Sequence, residues 1–172
     1  MTTIAATVAT TIARAVARTV AALGLSLLVA IPASAGPTEA ERNKDAVRHS
    51  FAQWRDGSGG PFQLLAPDAR WTITGSSPLS RTYEGRQDFL DRVIGPFNAR
   101  MRERLVPEIR DIRAEGDRVV VLFDARSVAR DGAEYRNTYS WHLRMQDGLV
   151  TEAVAFFDTR PFDALWARVK PE

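Results

Sequence analysis

An α+β fold follows from three observations on the sequence. Helical periodicity comes first, over residues 38–55. Strand-like runs follow, at 69–74 and then almost without interruption from 104 to 159, and the last two long runs meet at Asp147-Gly148. Helices followed by a series of strands joined by tight turns is the order of an α+β domain, in which an antiparallel sheet has one face covered by helices. Asp-Gly between two apolar runs is the strongest short-range hairpin signal, because a type I′ turn needs positive φ at both central residues and glycine takes it without strain.

Thr38 with Glu41 three residues on has the spacing of a capping box and opens a helix to about Arg55. Val47, Phe51 and Trp54 fall on one stripe of it, which predicts core packing, and His49 falls off it. Gly57-Ser58-Gly59-Gly60 ends the helix, Pro61 starts a short one, and Pro67-Asp68 turns the chain. From Ala69 to Thr74 the pattern alternates, with Trp71 and Ile73 on the buried side. The Gly/Ser/Pro-rich stretch from Gly75 to Arg86 predicts a loop over a pocket mouth, with Tyr83 pointing inward. A helix over about 87–101 carries Phe89, Val93 and Phe97 and is bent or split at Gly95-Pro96. Strands at 104–114 and 118–129 are joined by Glu115-Gly116-Asp117. After the closing hairpin, Phe162, Leu165, Trp166 and Val169 make the apolar stripe of a last helix that covers the sheet.

A two-residue turn at Asp147-Gly148 sets Met145 opposite Val150, Leu143 opposite Glu152, Trp141 opposite Val154, Tyr139 opposite Phe156 and Asn137 opposite Asp158. That face is aromatic and aliphatic, and turns polar at Asn137, Tyr139 and Asp158. It supplies the candidate site: Asp158, Tyr139 and Asn137 as the polar group, with Trp71, Tyr83, Trp141 and Phe156 as the apolar wall. Asp124 joins them if the turn at Asp131-Gly132 holds two residues. A three-residue loop with a bulge instead brings Phe123 beside Tyr139 and turns Asp124 outward. Asp158 has a second reading, as N-cap of the last helix. The opposite face carries the small residues Thr138, Ser140, Ala153 and Ala155, which let two sheets approach closely and predict a homodimer.

The Trp71 strand ending at Gly75, Tyr83-Glu84-Gly85-Arg86, Glu115-Gly116-Asp117-Arg118-Val119, Tyr135-Arg136-Asn137-Thr138-Tyr139, Asp147-Gly148-Leu149-Val150 and Phe157-Asp158-Thr159 together resemble the SnoaL-like branch of the nuclear transport factor 2 and ketosteroid isomerase superfamily. The resemblance covers nearly all of residues 36–172. It implies a cone-shaped, curved antiparallel sheet wrapped around an apolar pocket closed by helices, usually as a homodimer. Acid-base members of the superfamily are similar in placing a carboxylate in that cavity, which implies Asp158 as base with Tyr139 and Asn137 as donors to an enolate oxygen. Limonene epoxide hydrolases are similar in fold and use an Asp-Arg-Asp constellation, for which Asp124, Arg126 and Asp158 are the residues here. A superfold hosts many chemistries, so three functions stand side by side: a cofactor-free isomerase or cyclase, a non-catalytic pocket for a small hydrophobic molecule, and an interaction domain without a small ligand.

Residues 1–35 read as a secretory signal peptide: Arg14 and Arg18, an apolar run from Ala21 to Ile31, and Ala33-Ser34-Ala35 before Gly36. The run is shorter than the roughly 20 residues a bilayer-spanning helix needs, so no stable membrane anchor is expected after cleavage and the domain is expected to be periplasmic or secreted. Cleavage removes Arg14 and Arg18 from the 23 basic residues, which then match the 21 acidic ones, and the net charge falls from +2 to zero. That balance excludes the clustered positive charge of a nucleic-acid binder. With His49 and His142 the only histidines and no cysteine, no His/Cys metal site is expected, and nothing implies a cofactor. No glycine-rich phosphate loop or nucleophile elbow occurs. N-terminal sequencing of protein expressed in a Gram-negative host is expected to begin at Gly36; retention of Met1 in a membrane fraction would refute the export reading.

Overall fold

The computed structural model describes residues 36–171, so the segment read as an export signal lies outside the described residues. Helix α1 (Glu39–Asp56) starts at Thr38 with the expected capping box: Thr38 Oγ1 accepts from the Glu41 N–H at 3.2 Å and the Glu41 carboxylate accepts from the Thr38 N–H at 2.7 Å. Its apolar stripe buries Val47 and Phe51, and it ends at Gly57 with φ 80°. A 3-10 turn, Pro61–Leu64, leads into β1 (Leu65–Ile73), which is followed by the short β2 (Thr82–Glu84). The next helical segment is split into α2 (Arg86–Phe89), a π-helical turn at Leu90–Ile94 and α3 (Gly95–Asn98). The cause is Pro96, which has no N–H to continue the ladder; the turn before it widens to absorb the break. Then come β3 (Val106–Glu115), β4 (Arg118–Val128), β5 (Glu134–Gln146), β6 (Leu149–Phe157) and α4 (Thr159–Arg168).

These strands form one curved, unclosed sheet in the order β2-β1-β6-β5-β4-β3, antiparallel throughout except for the parallel pair β1 and β6. Strand β1 runs beside β6 with a wide irregularity at Ala66–Ala69, where Pro67 offers no N–H to a neighbour. Alternation decides what faces inward. On β4, Val119, Val121 and Phe123 are buried, and on β5 Tyr135, Asn137, Tyr139, Trp141, Leu143 and Met145 are. Helix α1, the split helix and α4 close the concave side, burying Phe89, Phe97, Phe162 and Leu165 against it.

The closing hairpin has the expected turn, with Asp147 at φ 50° and Gly148 at φ 77°, and Met145 pairs with Val150. Beyond that pair the register differs from expectation. Arg144 pairs with Glu152, Trp141 with Ala155 and Tyr139 with Phe157, so Thr151 is an extra residue on β6. A β-bulge of one residue moves everything after it to the opposite face. Phe156, expected in the pocket wall, therefore lies on the convex face, 47% exposed, with its ring 5.4 Å from that of His142. Phe157 takes the inward place. Ala153 and Ala155, expected on the small-residue outer face, are instead buried in the core, so the outer face of β6 presents Glu152, Val154 and Phe156.

The β4–β5 turn takes the longer of the two forms considered. Phe123 pairs with Tyr139, Asp124 with Thr138 and Arg126 with Arg136. Asp124 thus points outward, accepting from the Thr138 hydroxyl at 2.6 Å and lying 3.7 Å from Arg110.

Candidate functional site

The concave side holds a cavity of about 560 Å³, within the range of small-molecule sites, roughly 300–1,000 Å³. Its wall is assembled from every layer of the fold: Trp54 from the last turn of α1, Phe62 from the 3-10 turn, Trp71 from β1, Phe89 from α2, Trp141 from β5 and Phe157 from β6. Trp141 is the hub. Its ring centroid lies 4.9 Å edge-on from Trp71, 5.9 Å in a stack with Trp54, and 4.8 Å edge-on from Phe123. Trp71 in turn stacks on Phe89 at 4.4 Å. Edge-to-face and offset contacts at these distances each add about 0.5–1.5 kcal/mol beyond area burial, so the wall is held rigid by its own members.

A buried polar group stands within this wall. Tyr139, stacked on Phe123 at 4.9 Å, lines the cavity, and its hydroxyl lies 2.7 Å from that of Tyr135. Asn137 stands behind the pair. Its Oδ1 accepts from the N–H of Asp158 at 3.2 Å and of Thr138 at 2.9 Å, while its Nδ2 donates to the Asp158 carbonyl at 2.8 Å and to the Tyr135 hydroxyl at 3.2 Å. Two backbone donors and one backbone carbonyl fix which way the amide points. Burial pushes the Tyr135 phenol above its ordinary range, and burial followed by the neighbouring Tyr135 pushes that of Tyr139 well above it. Both are therefore neutral donors and acceptors at neutral pH.

Of the residues expected at the site, Tyr139, Trp71 and Trp141 line the cavity and Asn137 lies directly behind it. Asp158 does not join them. It is exposed, with its carboxylate accepting the Arg160 N–H at 2.9 Å as N-cap of α4. Its backbone, not its side chain, faces Asn137, because the bulge at Thr151 shifts the end of β6 by one residue. Asp124, outward as described, and Phe156, displaced to the convex face, stand apart as well. Tyr83 points inward but is core: it is fully buried, its hydroxyl donates to the Leu79 carbonyl at 2.8 Å, and its ring packs 5.7 Å from that of Phe89, which lines the cavity while Tyr83 does not. Asp124, Arg126 and Asp158 stand together, but around a second, charged depression on the outer side and not in the apolar cavity. Among the described residues no cluster of His, Asp and Glu has metal-holding geometry.

The sequence reading missed Phe62, Phe97, Phe157 and Phe162 as cavity residues and took Trp54 for core. Trp54 had a signal, since it is the last member of the α1 stripe and directly precedes a glycine-rich break. Phe157 had none, because Val154 and Phe156 alternate as apolar residues just as Ala155 and Phe157 do.

A curved α+β sheet around an apolar pocket closed by helices defines a nuclear transport factor 2-like domain. The family model for the SnoaL-like domain matches residues 47–153, and the chain belongs to that family. No curated protein matches the chain. Among solved structures it is similar to Bal32a from a soil-derived mobile gene cassette, at 19% identity and a TM-score of 0.61, covering 75% of this chain and 99% of that one. A nuclear transport factor 2-like protein of unknown function from Burkholderia pseudomallei is 26% identical, with a TM-score of 0.58 and coverage of 72% and 96%. TerC, co-crystallised with polyporic acid, is 23% identical, with a TM-score of 0.58 and coverage of 72% and 97%.

The capping geometry of Asp158 sets a stability test. Asp158→Ala is expected to cost about 1 kcal/mol in denaturant unfolding while Asp158→Asn costs little, because Asn accepts the same N–H. Neither substitution is expected to change ligand affinity.

Proposed function

We propose that the domain binds a small, largely aromatic molecule in the concave cavity and that the cavity itself carries no acid-base catalyst. The observation that carries this reading is the composition of the wall. It is mostly aromatic and aliphatic, has the Tyr139 hydroxyl as its buried polar point and Ser58, Gln63, Asn98 and Arg104 as its other polar members, and has no Asp, Glu or His among its lining residues. An isomerase or cyclase of the acid-base kind needs a base within hydrogen-bond reach of the substrate, and the carboxylate named for that role is engaged at a helix start. The fixed Asn137 amide gives the polar point a direction. Asn137 donates to the Tyr135 oxygen, and in the arrangement in which Tyr135 donates to Tyr139 the Tyr135 hydroxyl is satisfied as both donor and acceptor and the Tyr139 proton is left for a ligand. The ligand therefore presents an acceptor oxygen to Tyr139. That TerC was crystallised with an organic acid in the same fold is in keeping with this reading.

Acetylnaphthalene, which has a carbonyl, and naphthalene, which has none, separate the two contributions. Both are expected to quench tryptophan fluorescence on binding, and Tyr139→Phe is expected to weaken acetylnaphthalene about 5-fold while leaving naphthalene unchanged. Failure of both to bind the native protein would overturn the proposal.

We further propose that the domain is exported and that it self-associates through the convex face. What supports association is Phe156, a large apolar ring 47% exposed beside His142 on that face. Light scattering is expected to show two chains for the native protein and one for Phe156→Arg; an unchanged mass would remove the convex face as the interface.

A further inference from the structure

Arg104 is the one charged side chain among the residues lining the cavity. It lies in the segment between α3 and β3, which is tied to the end of β4: the N–H groups of Arg102 and Glu103 donate to the Val128 carbonyl at 2.8 and 3.2 Å, and the Ser127 hydroxyl donates to the Glu103 carbonyl at 2.5 Å. The next residue, Leu105, is buried. The guanidinium is held from the other side as well. Its Nη1 donates to the carbonyls of Trp54 at 3.0 Å and Arg55 at 2.7 Å, in the last turn of α1. It rests against Gly57, where a Cβ would come within 2.8 Å of Nη1 and 2.9 Å of Cζ. Gly57 is thus needed twice, for its φ of 80° and for the seat it leaves.

A positive group at a helix C-terminus has an ordinary use, since it complements about half a charge of helix dipole. Here the Gly57 N–H donates to Trp54 and the Ser58 N–H to Gln53, and Arg104 completes the cap at the Arg55 carbonyl with Nη1 alone. Neither Nε nor Nη2 of Arg104 has a protein acceptor among the described residues, and no carboxylate there forms an ion pair with it. Two acids beside its contacts are engaged by other arginines: Asp56, next to Arg55, lies 3.4 Å from the Arg55 guanidinium, and Glu103, the preceding residue, lies 3.6 Å from Arg102. The neighbouring rim is neutral, with Ser58, Gln63 and Asn98. Arg104 is exposed, so its Nε and Nη2 meet solvent; a cation pinned through Nη1 beside an apolar cavity, with two donors open to solvent, is a fork for a planar anion.

We propose that the ligand is an acid: an aromatic body in the cavity with a carboxylate or comparably acidic oxygen at the mouth, paired with Arg104. This rests on the binding reading above and adds the charge of the ligand to it. Naphthalene carboxylate and naphthalene carboxamide are the probes, matched in shape and differing in charge. The native protein is expected to bind the carboxylate about 10-fold more tightly than the amide at low salt, the ratio shrinking as salt rises. Arg104→Gln is expected to bring the ratio to about one, and Arg104→Lys to retain part of it. Equal binding of the two probes by native protein, or a ratio that survives in Arg104→Gln, overturns the proposal and leaves the binding reading standing. Absence of binding by either probe overturns both. Should Arg104→Gln not fold, the native salt series decides, and a ratio independent of salt overturns the proposal.

Discussion

The register between β5 and β6 is the constraint on which the rest of the site depends. Strand side chains alternate with a period of two, so the extra residue Thr151 sets, for the whole outer half of β6, which groups meet the cavity and which meet solvent. With it in place, the small Ala153 and Ala155 lie inward under the tryptophans and leave room above them. Without it, Val154 and Phe156 would occupy that space and the cavity would be filled. The bulge also ends the strand so that the backbone of Asp158, rather than its carboxylate, meets the Asn137 amide. The polar point of the cavity and the start of α4 are therefore fixed by one side chain with four hydrogen bonds.

That arrangement explains how an open sheet keeps an empty space at its centre. Trp141 contacts aromatic partners from α1, β1, β4 and the 3-10 turn, each of which also touches another ring. Rings locked by several neighbours cannot rotate into the void, as isolated aliphatic side chains would. The cavity is thereby maintained by the stiffness of its walls, and the few polar groups on it have defined directions.

Much of the fold was legible in the sequence because its signals are local. The Thr38–Glu41 capping box, the Asp147-Gly148 turn, the split at Gly95-Pro96 and the stripe of the last helix each require only a few neighbouring residues, and each is present. The cavity was legible in half. Trp71, Tyr139 and Trp141 follow from strand alternation, which holds along β1 and β5. Phe156, Asp158 and Asp124 were misplaced or left undecided for a single reason: the face of a residue depends on counting from a turn, and β6 and the β4–β5 connection each depart from the simplest count. Apolar residues on both faces of β6 removed the one pattern that could have revealed the slip. Phe62 and Arg104 lie in connections where no periodicity applies, and their place in the wall comes only from tertiary packing.

The parallel pairing of β1 with β6 has a consequence for the order of assembly. Strands β3 to β6 follow one another through short turns and close only small loops. The Thr74 N–H, by contrast, bonds to the Ala155 carbonyl across 81 residues of chain. Loop-closure entropy grows with separation, and contacts of long sequence range slow folding. The hairpin unit is thus the natural nucleus, with β1 docking onto an already formed edge. Trp71 arrives with β1, so the cavity lining is completed only in the last stage of folding.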